Sequence, residues 1–218
     1  MTPELAARLI DAIGALLLFT TILILGAGQI YRAVYAVAWQ SACLGIAAAV
    51  LGAATGNGDL WVIAGITIVI KAIFLPWLLL RVVRQVGIRL EIEPVIPVSV
   101  TLVVAALIVV LAFYLSASLG SVRQAITGNA LPVGVALTLL GVLVMASQRK
   151  ALTQMVGLFA SENGIFFTAI AVSQGMPLII EIGVILDVIL GALVMGILVL
   201  RVRSTVDADM ADMARLRG

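Results

Sequence analysis

The run LWVIAGITIVIKAIFLPWLLL, residues 60–80, contains a single ionisable side chain, Lys71. At 1.5 Å per residue a helix needs about 20 residues to cross roughly 30 Å of hydrocarbon. A helix that is apolar on every face belongs deep in a large core or in lipid, and a chain of 218 residues offers little room for such a core. Six further runs have the same character: 6–28, 34–54, 95–119, 130–147, 152–174 and 178–200. The sequence therefore predicts an all-α, polytopic integral membrane protein of seven transmembrane helices.

Composition agrees with this. The chain is 63% hydrophobic and 11% charged, whereas globular domains carry about 25% charged residues. Its mean hydropathy is +1.26. A net charge of +2, scattered between apolar runs, excludes a nucleic-acid-binding face. Cys43 is the only cysteine and lies in an apolar run, so one chain cannot build a disulfide, an iron–sulfur cluster or a thiolate zinc site. Histidine is absent, which removes the usual ligands of a membrane haem and the usual proton carrier near neutral pH. No nucleotide loop, metal-ligand cluster or nucleophile constellation is present, so this chain is expected to have no catalytic centre or cofactor of its own.

The separators have loop chemistry: Gly28 to Arg32, Thr55 to Asp59, Arg81 to Pro97, Gly120 to Asn129, Gln148 to Lys150 and Gln174 to Pro177. Most are so short that the helices must form antiparallel hairpins. The chain divides into residues 1–94, with three helices, 95–147, with two, and 148–218, a helical hairpin with a tail. Residues Met1 to Arg8 enter the first apolar run with no A-x-A-like site after it, so that run is expected to be retained as a helix. The tail from Val206 carries Asp207, Asp209 and Asp212, then Arg215 and Arg217, with Met210, Met213 and Leu216 spaced by three, the pattern of a short amphipathic turn that is solvated, interfacial or docked on a partner.

Orientation follows from Lys and Arg. With seven spans, Arg8 and Arg123 fall on one side. Arg32, Arg81, Arg84, Arg89, Arg149, Lys150, Arg201, Arg203, Arg215 and Arg217 fall on the other. The asymmetry predicts a cytoplasmic C-terminus and an outside N-terminus.

Lys71, Glu162 and Asp187 lie near the middle of expected spans, where each costs about 2.5–3.5 kcal/mol to insert. Counting from the Gln174–Met176 hairpin tip puts Glu162 and Asp187 within about one helical turn of the same depth, and Lys71 at a similar level. Desolvation opposes the charged form of acid and base alike, so such a row can trade protons through ordered water. The alternative is a buried salt bridge that only holds helices together. Two acids against one base favour the relay. Glu181 lies near the outer end of the last span and is either an interfacial charge or the relay's entrance. Ser161 and Asn163 flank Glu162 and are either interhelical glue or relay lining. Pro76, five residues beyond Lys71, should loosen the helix on the lysine's side by freeing backbone carbonyls.

These residues carry a resemblance. Arg149, Gly157, Glu162 followed by Asn163, Asp187 followed by Gly191, and a short tail ending Arg217-Gly218 make residues 148–218 resemble subunit K of respiratory complex I and its small counterpart in multisubunit cation/proton antiporters. Over most of its length the chain resembles component E of hydrogenase 4, of formate hydrogenlyase type. The segments that carry this are Lys71 to Pro76, Ser147 to Arg149, Glu162 to Gly164, Glu181 to Gly183 with Asp187, and the tail Asp207 to Gly218.

The resemblance implies a noncatalytic subunit beside large antiporter-like membrane subunits and a membrane anchor, in a bacterial or archaeal cytoplasmic membrane. The nickel–iron site and iron–sulfur clusters would belong to partner subunits. It also implies that Glu162 and Asp187 correspond to the acid pair of the K-type subunit. One position departs: the family glutamate sits four residues before the asparagine, where this chain has Phe159. Glu162 is displaced by three residues, on nearly the same helix face. The two other readings are a structural subunit that links antiporter-like subunits without conducting ions, and a subunit of an antiporter with no redox arm.

Overall fold

The computed structural model describes residues 1–86, 92, 94–118, 129–173 and 196. Asp187, Glu181, the tail and, apart from Gly196, the expected span 178–200 lie outside the described residues. The described chain is helical: α1 (Pro3–Leu25), α2 (Ile30–Thr55), α3 (Gly58–Ile66), a π-helical segment (Thr67–Phe74), α4 (Leu75–Val86), α5 (Val98–Ser118), α6 (Ala130–Ser147) and α7 (Ala151–Ser173).

Five helical stretches among the described residues are long and apolar enough to cross a membrane: Pro3–Leu25, Ile30–Thr55, Gly58–Arg81, Val98–Ala117 and Ala130–Ser147. They fall on the first five expected spans, with shifted ends in all but Ala130–Ser147, and α7 is the helix found at the sixth expected run. The first helix runs three residues further N-terminal than expected, because Pro3 supplies a preset φ at its first turn. The segment from Arg81, expected to be a loop, continues as helix to Val86, so Arg81 and Arg84 lie on the last turns of α4.

Short turns set the packing. Gly56 ends α2 in the left-handed region (φ 73°), and its N–H returns to Gly52 O at 2.9 Å. Asn57 then caps α3, its Oδ1 accepting from Asp59 N–H at 3.0 Å. The α2–α3 connection is thus Gly56-Asn57 alone, tighter than the five residues expected.

At the other end three connections are tied together. Ile92 N–H donates to Gly28 O at 3.1 Å, and Val95 N–H donates to Ser147 O at 2.8 Å. Chain direction puts Arg32, Arg81, Arg84, Arg149 and Lys150 at that same end of the bundle.

Two apolar clusters form the core. One gathers Ile10, Leu17, Leu44, Leu51, Leu60 and Phe167 from α1, α2, α3 and α7. The other joins Ile24, Val34, Leu78, Val83, Val144 and Phe159 from α1, α2, α4, α6 and α7. By contrast α5 turns most of its surface outward, with Leu107, Val110 and Tyr114 among the most exposed apolar side chains, as expected of a helix facing lipid or another membrane chain.

Helices α6 and α7 pack backbone against backbone. Gly134 and Gly141 on α6, and Gly157 and Gly164 on α7, are each seven residues apart. A Cβ at Gly157 would lie 2.6 Å from Met145 N, and one at Gly141 would collide with the Ser161 backbone. Hydrophobic collapse gives no drive between helices in lipid, so close approach through small residues supplies the van der Waals contact instead.

Candidate functional site

The third span changes its winding where Pro76 predicts. Proline has no N–H to give to the carbonyl of Ala72, and its ring crowds that carbonyl. The chain answers with the wider π turn over Thr67–Phe74, in which Leu75 N–H reaches back five residues to Ile70 O. Each residue of helix turns the face by about 100°, so this local change of winding sets the direction in which Lys71 leaves the helix.

Lys71 meets Glu162, the central residue of α7. Its Nζ lies 3.0 Å from Glu162 Oε1, and both side chains are 5% exposed. The same Nζ is 5.4 Å from the centroid of the Phe166 ring, one turn along α7, so an aromatic face supplements the carboxylate. Helix α2 packs against both the π segment and α7, and the ion pair closes the space beside it. A Cβ at Gly45 would lie 2.6 Å from Ile68 Cγ1, so α2 can lie this close only with glycine there.

A buried polar layer continues on either side. Asn163 Nδ2 donates to Ser41 Oγ at 3.3 Å, tying α7 to α2. Gln40 Nε2 donates to Thr21 Oγ1 at 2.7 Å and to Leu17 O at 3.1 Å, tying α2 to α1. Three acceptors in this layer, Glu162 Oε2, Asn163 Oδ1 and Gln40 Oε1, are buried with no hydrogen-bond partner among the described residues. Such atoms cost about 1–3 kcal/mol each if they stay unsatisfied. Ser41, Lys71, Pro76, Phe159 and Asn163 border a cavity of about 10 Å³, about the size that admits one water.

The site residues expected from sequence are therefore treated unequally. Lys71, Glu162 and Asn163 come together. Ser161 is buried on the opposite side of α7, against Gly141 of α6, where it serves helix packing and does not border the cavity. Phe159, where the resemblance would have a glutamate, borders the cavity beside Lys71. The displaced acid thus remains on the face that reaches the lysine. Asp187 and Glu181 fall outside the described residues. Asp11, in the first apolar run, is half-buried, with an unpartnered Oδ1 among the described residues.

An uncharacterized protein of Mycobacterium tuberculosis, Rv0085, is 29% identical to this chain over 211 residues, covering 96% of each. No family model matches the chain, and no solved structure matches it significantly.

Gln40, a polar residue inside the second apolar run, reads in the sequence as interhelical glue, and it links α2 to α1 through two hydrogen bonds. Sequence reasoning misses one feature of the layer. The glycine pairs of α6 and α7 hold Ser161 on one side of α7 and so leave Glu162 and Asn163 to face α2 and the π segment. Their seven-residue spacing on both helices is a signal that the sequence carries openly.

Proposed function

We propose that this chain is a noncatalytic membrane subunit of an energy-converting complex of hydrogenase or complex I type, and that Lys71, Glu162 and Asp187 form its proton relay. The observation that carries this is the Lys71–Glu162 contact, an acid and a base 3.0 Å apart at the centre of two apolar helices. A site of this kind can hold a proton in two ways. With Glu162 ionised the ammonium is held against it. A proton delivered to Glu162 removes that attraction and lets Lys71 turn to another acceptor. The unpartnered Glu162 Oε2 and the adjoining water-sized cavity supply the next stations. Asp187 is the proposed acceptor beyond them.

The remainder of the proposal rests on sequence. It comprises seven spans, an outside N-terminus, a cytoplasmic C-terminus and residence in a bacterial or archaeal cytoplasmic membrane. The partners would be large antiporter-like subunits and a membrane anchor, with the nickel–iron site and iron–sulfur clusters in neighbouring chains. The test uses the native assembly in sealed vesicles. Glu162→Gln and Asp187→Asn should each leave the subunits assembled and abolish coupled proton movement. Intact pumping in both would end the proposal.

The same short distance favours a second reading, in which the pair is a static brace. Replacing a buried ion pair by apolar residues of similar volume is often neutral or stabilising. Under this reading Lys71→Met combined with Glu162→Leu leaves transport intact, whereas under the relay it abolishes transport. A third reading, an antiporter subunit with no redox arm, is favoured if the purified native assembly contains no hydrogenase or dehydrogenase subunits.

A further inference from the structure

A groove of about 710 Å³ opens on the outer surface of the bundle between α2 and the third span. One wall is Tyr35 and Ala38 of α2. The other is Ala72 and Ile73 of the π segment with Pro76, Trp77 and Leu80 of α4. Arg81 and Arg84 stand at its mouth. Trp77, Leu80, Arg81 and Arg84 are spaced by three and four, so they form one stripe that passes from apolar to cationic along α4. Arg81 is held in place, with its guanidinium carbon 5.3 Å from the centroid of the Trp77 ring. Arg32 lies one turn from Tyr35 towards the same end.

We infer that this groove binds one anionic phospholipid, its phosphate on Arg81 and Arg84 and an acyl chain along Tyr35, Pro76 and Trp77. Three properties of the groove match that ligand and no simpler one. From Ala72 to Arg84 the wall is about 18 Å long at 1.5 Å per residue, a length that suits an extended acyl chain. Its apolar part ends at two aromatic residues and then at guanidinium groups, the order in which a lipid runs from tail to headgroup. Among the described lining residues there are two cations and no carboxylate, so the charge at the mouth is complementary to a phosphate. Guanidinium forks take phosphate oxygens in pairs, and two cations at the mouth favour a headgroup of net negative charge over a zwitterionic one, whose own ammonium they repel. The groove also borders the π segment directly, so a bound chain would pack against the turn that carries Lys71.

The test uses the full chain purified in detergent, offered phosphatidylglycerol or phosphatidylcholine at equal mole fraction and analysed by native mass spectrometry. One phosphatidylglycerol should be retained per chain in preference to phosphatidylcholine. Retention should fall roughly thirtyfold in the double variant R81Q/R84Q, the effect of two lost cations at a membrane surface, and stay unchanged in R149Q at the same end of the bundle. A filling variant with both arginines intact, Ala38→Trp, should also abolish retention. In a chain whose only tryptophan is Trp77 (Trp39→Phe, Trp61→Phe), phosphatidylglycerol brominated on its acyl chains should quench the fluorescence. Equal retention of the two lipids would overturn the assignment. So would unchanged retention in R81Q/R84Q or Ala38→Trp, an equal loss in R149Q, an unquenched Trp77, or full displacement of the lipid by glycerol phosphate, which has no acyl chain.

Discussion

Lys71 and Glu162 meet at 3.0 Å across a gap beside α2, although they are ninety-one positions apart in the chain. Removing either charge leaves the other in a medium that penalises it, and breaking a buried pair in this way costs about 3–5 kcal/mol. Glu162→Leu and Lys71→Met are therefore each expected to destabilise the protein by about 3 kcal/mol, with the double variant far milder than their sum. Thermal unfolding of the three variants and the parent in one detergent checks this. Strict additivity would show that the two groups are not coupled.

The pairing of faces is open to a direct chemical check, because Cys43 is the only native cysteine. In a Cys43→Ser background, Ser41→Cys with Asn163→Cys should form a cross-link on mild oxidation, since Asn163 Nδ2 already reaches Ser41 Oγ at 3.3 Å. Ser41→Cys with Ser161→Cys should not, because Ser161 faces the Gly141 backbone of α6. Equal yields for both pairs would mean that α7 is rotated from the orientation described.

The α6–α7 seam leaves no room for a side chain. Gly141→Ala forces two backbones apart and is expected to destabilise by more than about 2 kcal/mol, at the upper end of overpacking costs. Gly65 offers the contrast, since a Cβ there meets nothing within 4 Å. Gly65→Ala should be neutral or stabilising by up to about 1 kcal/mol, the helix-propensity difference between the two residues. Melting temperatures of the two variants measured side by side decide this.

Sequence and structure agree where a single physical term dominates. Spans such as Ala130–Ser147 are legible because an apolar run of that length has few places to go but lipid, and here both expected boundaries match the helix ends. Lys71 and Glu162 are legible as partners because each is too costly at mid-depth to stand without a reason. Ser161 is less legible. Its neighbour Glu162 advertises chemistry, while the feature that turns Ser161 away is the Gly141 surface on another helix. The helix start at Pro3 depends on a preset φ, a local effect worth about 1 kcal/mol or less, below what hydropathy can resolve.

The π segment is the one described element whose cause is local and whose consequence is distant. Pro76 denies a hydrogen bond to the Ala72 carbonyl, and Leu75 N–H then bonds Ile70 O instead of the residue one place later. Pro76→Ala restores the missing N–H and removes the ring, so the third span should relax towards continuous α-helix. Losing the extra residue of the π turn rotates Lys71 by about 100° relative to α4, enough to carry its Nζ off the Glu162 carboxylate. The expected outcome is that the coupling between Lys71→Met and Glu162→Leu, measured by the same thermal cycle, drops below about 1 kcal/mol in the Pro76→Ala background. Undiminished coupling would mean that packing of Ile68 against Gly45, and not the proline, holds the turn in its wide form.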